Sequence, residues 1–506
     1  MSLQPDYSSF AATYETGKPQ VVWRVLVADL ETPVSAFLKL TNGQPNAFLL
    51  ESVEGGAVRG RYSILGMKPD LMWKCEGNKA WINRNVRSKP GDFVPCPVAE
   101  ASGALDSLRA LVAECAIEAP PHLPPMSAGL IGYMSYDMVR LVEKLPDNNP
   151  DPIKVPDGIF MRPTIMAVFD NVNGTLTAVT SVWARPGVEA QTAWDLASER
   201  LEHVVDALES PLPHSDAGPS RAEHMPVPVP GTSPEHYCRM VEKAQEYIAA
   251  GDIFQVVLSQ RLAVPFKLPP FSLYRSLRRL NPSPFLFFLD FGDFQLVGSS
   301  PEILVRLRDD KVTIRPIAGT RRRGKTPAED EELAADLLAD PKELAEHLML
   351  LDLGRNDVGR VASIGSVSVT KKMAVEYYSH VMHIVSSVEG KIREGCDAMD
   401  ALMAGFPAGT TSGAPKIRAM EIIDELESER RSFYAGAIGY FDGNGNMDTC
   451  IALRTTLVKD GTMYVQAGAG IVADSVPLSE HEECLNKARA LVRAAEDAID
   501  YTLNKQ

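Results

Sequence analysis

The 506-residue chain has little that would tie it to a membrane, a nucleic acid or an oxidising compartment. Its longest apolar runs, such as Phe285 to Leu289 and Leu348 to Leu351, stop far short of the roughly 18 residues a spanning helix needs, so no membrane partner is expected. Seven cysteines, none in a C-x-x-C pair, are too scattered for a disulfide framework or a zinc ribbon and read mostly as small buried apolar residues. Basic side chains are the minority. Against 66 Asp and Glu stand 51 Lys and Arg, a formal net charge of -15 that repels phosphodiester backbones and argues against a nucleic-acid partner. The N-terminus carries Asp6 and Glu15 where a signal peptide would have a basic start and an apolar core, so a cytoplasmic location is expected. Glycine (36) and proline (37) are too few for a fibrous chain.

What is present is an ordinary globular composition, 45% hydrophobic and 23% charged, with length enough for two large domains or three of about 150 residues. Residues 209–232, ESPLPHSDAGPSRAEHMPVPVPGT, show no hydrophobic periodicity and read as a Pro and Ser-rich linker between regions 1–208 and 233–506. Upstream, Ala47 to Leu50 and Ile165 to Phe169 predict strands, while Ala104 to Ala116 and Ala190 to Leu208 predict helices. Downstream, Phe285 to Phe291, Phe294 to Ser299, Glu302 to Leu307 and Lys311 to Pro316 predict one antiparallel meander. A second is predicted from Phe433 to Ile471, turning at Asp442-Gly443-Asn444-Gly445-Asn446 and at Lys459-Asp460-Gly461. Helices are expected over Pro234 to Ala250, after Thr326-Pro327, after a capping box of Asp340, Pro341 and Glu343, and after a similar start at Ser479 and Glu482. The expected fold class is α+β, α/β in the broad sense, with antiparallel sheets covered by helices.

Two of these helices carry carboxylates three residues apart, Glu343 with Glu346 and Glu480 with Glu483. Each pair faces one way, and two such helices aimed at one point would make an oxygen-ligand site suited to Mg²⁺. The competing explanation is that acidic residues favour first helical turns through the macrodipole. The stretch GFPAGTTSGAPKIRAM (405–420) places a Gly, Thr and Ser-rich loop before a helix with Pro415 in its first turn. It matches no Walker pattern, and reads either as a carboxylate-binding helix start or as an ordinary connection. Gln466-Ala467-Gly468-Ala469-Gly470 lets a ligand approach the backbone of a strand closely. Arg454 and Lys487 are either cations for substrate carboxylates or solvated surface residues. His383, inside Val381 to Val385, is a general base or a satisfied core histidine. No cysteine sits in a G-x-C-x-G turn, so the chain is not expected to hydrolyse glutamine alone.

PIAGT (316–320), ELAEHLMLLDLGRNDVGRV (343–361), FPAGTTSGAPK (406–416), AGAIGYF (435–441) and VQAGAG (465–470) together closely resemble the chorismate-utilising enzymes, above all the large-subunit family of anthranilate synthase, component I. The resemblance covers nearly the whole chain. It implies a carbon–oxygen lyase of tryptophan biosynthesis that makes anthranilate and pyruvate from chorismate and ammonia, with ammonia delivered by a glutamine amidotransferase subunit (component II) in a hetero-oligomer. It implies Mg²⁺ held by Glu346 and Glu483, with Glu343 and Glu480 in support. It assigns substrate contacts to Gly319, Thr320, Thr410, Tyr434, Arg454, Gly468, Ala469, Gly470 and Lys487. Glu302 matches the acid that protonates the departing C4 hydroxyl and His383 the residue of the later elimination; Gln255 and Glu343 complete the implied catalytic set.

Two positions separate sibling chemistries within that resemblance. Isochorismate synthases carry a water-activating Lys where Gln255 stands, and Gln cannot act as that base. Aminodeoxychorismate synthases carry a nucleophilic Lys in PIKGT, where this chain has Ala318. Those two activities, and a catalytically silent ligand-binding homologue, are the alternatives. Leu49-Leu50-Glu51-Ser52 and Gly60-Arg61-Tyr62-Ser63 resemble the family's tryptophan-binding segment, with Pro282-Ser283-Pro284 completing the pocket, which implies feedback inhibition at an allosteric site. From the residues alone the same strings read as strand, turn and strand.

Overall fold

In the computed structural model, which describes residues 2–54, 58–213, 227–378 and 381–503, two antiparallel sheets of twelve strands each pack against one another among the described residues. The shared core joins Phe48, Ile64, Phe287 and Leu289 of one sheet to Trp73, Tyr133, Phe160 and Ile438 of the other. Helices cover the outer face of the first sheet. This explains why strands such as Ile165–Asp170 and Phe285–Asp290 are apolar almost throughout instead of alternating, because both of their faces are buried. No helix among the described residues is long and apolar enough to cross a membrane. All seven cysteines are free; five are buried, while Cys238 and Cys396 are partly exposed.

Both sheets draw strands from either side of the 209–232 stretch. Ala47–Glu51 pairs with Phe285–Asp290 in one, and Gly129–Met134 pairs with Ala437–Asp442 in the other. The linker thus divides the sequence but not the sandwich; its residues 214–226 lie outside the described part.

The two expected meanders are instead four hairpins. Phe285–Asp290 and Gln295–Ser300 pair in the first sheet, whereas Ile303–Arg308 and Lys311–Ile314 pair in the second, so the chain changes sheet at Pro301-Glu302. Ala437–Asp442 and Met447–Ile451 belong to the second sheet, Thr455–Lys459 and Thr462–Ile471 to the first, and this chain crosses at Ala452-Leu453-Arg454. Short turns mark a hairpin equally well when its neighbour lies across the sandwich.

Helix Pro234–Ala250 starts and ends as expected, with Ser233 as its cap, and Thr326 caps Pro327–Ala339 by accepting from Glu329 N–H. Asp340 caps Pro341–Val361 by accepting from Lys342 and Glu343 N–H. The reciprocal capping-box bond is replaced: the Glu343 carboxylate turns to Arg321, 3.0 Å away. The last helix begins at Pro477, so Ser479 lies inside its first turn and is not its cap. Pro415 is the residue before helix Lys416–Leu426, not within its first turn.

Candidate active site

The two sheet crossings lie side by side. Ile451 N–H donates to Glu302 O at 3.1 Å, and Ser299 N–H to Arg454 O at 3.1 Å. Together they hold Glu302 and Arg454 at one end of the inter-sheet space, where a cavity of about 640 Å³ opens. Its walls come from strands Gln255–Pro265 and Thr462–Ile471 of the first sheet, Ile317–Arg322 and Val381–Lys391 of the second, and the carboxylate-bearing faces of helices Pro341–Val361 and Pro477–Leu503. Gln255, Glu302, Gly319, Thr320, Glu343, Glu346, His383, Thr410, Tyr434, Arg454, Gly468, Gly470, Glu480, Glu483 and Lys487 all line it. Ala469 does not. Side chains alternate along a strand, and Ala469 points the other way into the cluster formed with Val256 and Ile422.

The four glutamates share this cavity without equal roles. Burial, and the like charges of Glu343 and Glu483, push the Glu346 carboxyl up, while the Gln255 amide donating at 3.2 Å opposes them. Glu480 is pushed up by burial and by Glu483. Glu343 is tied to Arg321 and Glu483 to Lys487 at 2.6 Å. No three His, Cys, Asp or Glu side chains among the described residues stand close enough to form a metal cluster by themselves. An all-oxygen set of few carboxylates is the kind of donor set that suits Mg²⁺, which keeps waters and takes its remaining ligands from an anionic substrate.

Glu302 is only 6% exposed, and burial pushes its carboxyl up to about 8 against the 3.2 Å hydrogen bonds from the Thr410 hydroxyl. It is therefore mostly protonated at neutral pH. His383 shows the opposite shift: burial brings it down to about 4, so its ring is neutral. Nδ1 lies 3.2 Å from Gly319 O, which can only accept, so that contact puts the hydrogen on Nδ1 and leaves Nε2 with a free lone pair. Thr320 Oγ1 lies 2.9 Å from the same Nδ1. Gly319 occupies a bulge at φ +77°, and a Cβ there would meet Ile384 at 3.0 Å and Glu343 Oε2 at 3.2 Å, which only glycine avoids.

Arg454 is partly buried at φ +46°, in the left-handed backbone region that few non-glycine residues occupy. Its guanidinium makes no ion pair and no side-chain hydrogen bond among the described residues, leaving a free fork in the cavity. Lys487 Nζ also donates to Gly468 O at 3.0 Å.

Sequence reasoning missed two features. Lys342 and Gln466 also line the cavity. Behind its wall, the buried Arg431–Glu427 pair bonds Val257 O and Thr411 O through Arg431 and Ser259 N–H through Glu427, tying strand Gln255–Pro265 to the Thr411 turn. Nothing in the string ERRSF distinguishes a buried arginine from an exposed one.

A second cavity of about 910 Å³ lies between the sheets, lined by Leu50, Glu51, Ser52, Pro284, Phe285 and Tyr440 among others. Pro301 and Ile317 line both cavities. Glu51 is held by Arg278 at 2.5 and 2.8 Å and by the Tyr274 hydroxyl at 2.7 Å. Pro282 and Ser283 fall outside this lining: Ser283 is buried behind it, its hydroxyl donating to Ser300 O at 2.9 Å and its carbonyl accepting from Val53 N–H at 3.0 Å.

A family model described as chorismate binding enzyme matches residues 70–493. Anthranilate synthase component 1 of Cereibacter sphaeroides is 57% identical, over 97% of this chain and 97% of its own. The chain belongs to the anthranilate synthase component 1 family of chorismate-binding enzymes. Its counterpart from Pseudomonas putida is 50% identical over 92% of this chain and 93% of its own. The crystal structure of anthranilate synthase component I from Streptococcus pneumoniae superposes with a TM-score of 0.74 at 38% identity, covering 93% of this chain and 99% of that one. The menaquinone-specific isochorismate synthase from Escherichia coli shares the fold, with a TM-score of 0.69 at 18% identity over 97% and 100% of the two chains.

Proposed function

We propose that the chain converts chorismate and ammonia to anthranilate, pyruvate and water, as the lyase component of tryptophan biosynthesis. The observation that carries this reading within the family is that Gln255 and Ala318 both line the cavity, so neither position offers a lysine to activate water or to attack the ring. Ammonia, the deprotonated form of ammonium, is itself the nucleophile and needs neither.

In this mechanism Arg454 and Lys487 bind substrate carboxylates, and Glu346 and Glu483 are the residues that would hold Mg²⁺. When bound, the ion neutralises the ring carboxylate and polarises the ring. Ammonia forms the new bond at C2 as the double bonds shift and the C4–oxygen bond breaks. Glu302, held protonated by burial, gives its proton to the departing hydroxyl, which leaves as water. His383 Nε2 then takes the C2 proton, the enolpyruvyl oxygen leaves, and its three-carbon unit ends as pyruvate while the ring becomes aromatic. Gly319 O keeps the His383 hydrogen on Nδ1, so the basic nitrogen is the one with a free lone pair.

No cysteine of the sequence sits in a G-x-C-x-G turn, which supports a separate glutaminase subunit as the ammonia source. The second cavity combines apolar walls of Leu50, Phe285 and Phe287 with charged groups of both signs, Arg306, Glu376 and Asp448 among them, a combination suited to an aromatic amino acid, and we assign it to inhibitory tryptophan. Its shared wall with the catalytic cavity gives the inhibitor a short physical route to Glu302 through Pro301. Incubating the purified chain with chorismate, Mg²⁺ and ammonium salt tests the activity. Anthranilate fluorescence should rise with ammonium and not with glutamine; no anthranilate under either condition would overturn the reading.

A further inference from the structure

A third cavity, of about 250 Å³, shares no lining residue with the two above. It lies where strand Thr175–Val182 and helix Ala190–Glu209 meet the turn after strand Lys79–Asn83. Arg84, Arg87, Arg185 and Arg200 line it with one carboxylate, Asp70, in a chain of net charge -15. Two of those charges are already matched: Arg84 grips Glu114 at 2.5 and 2.6 Å, and Asp70 is held by Arg162 at 2.8 and 2.9 Å.

The other three arginines are not matched. Arg87 and Arg185 make no ion pair and no side-chain hydrogen bond among the described residues. Arg200, partly buried, has one partner, the Thr180 hydroxyl at 3.2 Å. Burial and the like charges of Arg87 and Arg185 hold its guanidinium below its ordinary value, outweighing Asp70 and Glu199. A separate observation concerns a neutral donor: Trp183 lines the same cavity, and its buried Nε1–H has no acceptor.

Gathered guanidinium groups and an idle indole N–H are all donors and supply no acceptor of their own. Their complement is an oxyanion with several oxygens and more than one charge, since the guanidinium fork matches phosphate oxygens in pairs. The cavity is smaller than the roughly 300 Å³ at which ordinary ligand pockets begin, which selects a compact species. We infer that this cavity binds a phosphate dianion, free or as the head of a compact phosphomonoester, through Arg87, Arg185, Arg200 and the Trp183 indole.

Isothermal titration of the full chain with inorganic phosphate, at ionic strength held constant with sodium chloride, tests this. One saturable site per chain is expected. Arg200→Gln and Arg185→Gln should each weaken it about tenfold or more, the effect of losing one charge-assisted contact. Arg185 is exposed and bonds nothing through its side chain, so its variant should keep the parent's melting temperature in chloride and remain informative if Arg200→Gln does not fold. Glycerol 3-phosphate, titrated in parallel, separates the sources: tighter binding than inorganic phosphate assigns a phosphomonoester, weaker binding the free ion. Absence of saturable heat beyond the chloride control would overturn the assignment. So would unchanged affinity in both variants, which would place the phosphate on another site such as Arg454 and Lys487.

Discussion

The Gln255 side-chain amide donates to Glu346 Oε1 across 3.2 Å, so the residue that separates sibling chemistries touches the carboxylate assigned to the metal. A Cβ on Gly470 would lie 2.4 Å from Gln255 Nε2, and glycine there leaves the amide its place. Gln255→Lys would therefore set an ammonium against Glu346, keep the lysine charged and compete for the metal-binding oxygen. Anthranilate formation should fall roughly 10- to 100-fold, the Mg²⁺ concentration for half-maximal rate should rise, and isochorismate should stay the minor product by chromatography. Unchanged turnover and Mg²⁺ dependence would show that Gln255 and Glu346 do not act together.

Removing either carboxylate itself should cost more. Glu346→Gln and Glu483→Gln keep the helices but remove a charged ligand, and the loss of several kcal/mol of charge stabilisation corresponds to a fall of about 10³-fold or greater. Calorimetric titration of Mg²⁺ with substrate analogue present should show weakened binding in both. Full activity of both variants in a chelator would remove the metal from this site.

The fold was legible where local chemistry decides it and illegible where the choice lies across the sandwich. Ser233, Thr326 and Asp340 cap their helices because a side-chain oxygen before a free N–H is a local event. The changes of sheet at Pro301-Glu302 and at Ala452 to Arg454 are not local: both depend on which distant strand accepts the hydrogen bonds, and no turn signal carries that information. The candidate site divides in the same way. Glutamates three apart could be read as one helical face, whereas the capture of Glu343 by Arg321 joins residues from a strand and a helix and left no trace in the spacing. The resemblance places Ala469 among the substrate contacts with its glycine neighbours, but strand alternation turns its side chain away from the cavity.

Glu302 makes a prediction about pH. If it acts as the acid, kcat/KM for chorismate, measured at constant free ammonia, should fall on an alkaline limb near pH 8. Glu302→Gln should lose that limb and about 10²- to 10⁴-fold in rate. The same shift acts on stability. A carboxyl raised from 4.5 to about 8 by burial contributes stability that is fully present below pH 4.5 and lost as pH rises through 8. The Gln variant lacks that loss, so its melting temperature should gain on the parent's as pH rises from 4.5 to about 8 and keep that lead above it; a parallel course in both proteins over that range would contradict the assignment.

Regulation is tested at Ser52. Its hydroxyl fills the space that a Cβ on Gly60 would occupy, 1.7 Å away, so that side offers no room for a ring. In Ser52→Phe the phenyl group should turn into the second cavity and raise the tryptophan concentration for half-inhibition about tenfold or more, leaving ammonia-dependent turnover near the parent's. Equal inhibition of variant and parent would place the inhibitor elsewhere.

Ala318, 9% exposed in the cavity wall, tests the nucleophile. Ala318→Lys should reduce anthranilate formation by bringing a competing amine to the ring, and intact-protein mass spectrometry should find a substrate-derived adduct on the variant alone. Undiminished turnover without an adduct would mean that residue 318 does not face the reacting carbon.

Direct addition of ammonia to chorismate in the cavity between the two sheet crossings is open to one decisive test. A single mass-spectrometric measurement addresses it: the purified chain, chorismate, Mg²⁺ and ¹⁵N-ammonium, with anthranilate and pyruvate quantified together. One labelled nitrogen in every anthranilate, and one pyruvate for each, is the expected result. Isochorismate or an aminated cyclohexadiene that retains its enolpyruvyl group, in place of anthranilate, would contradict it.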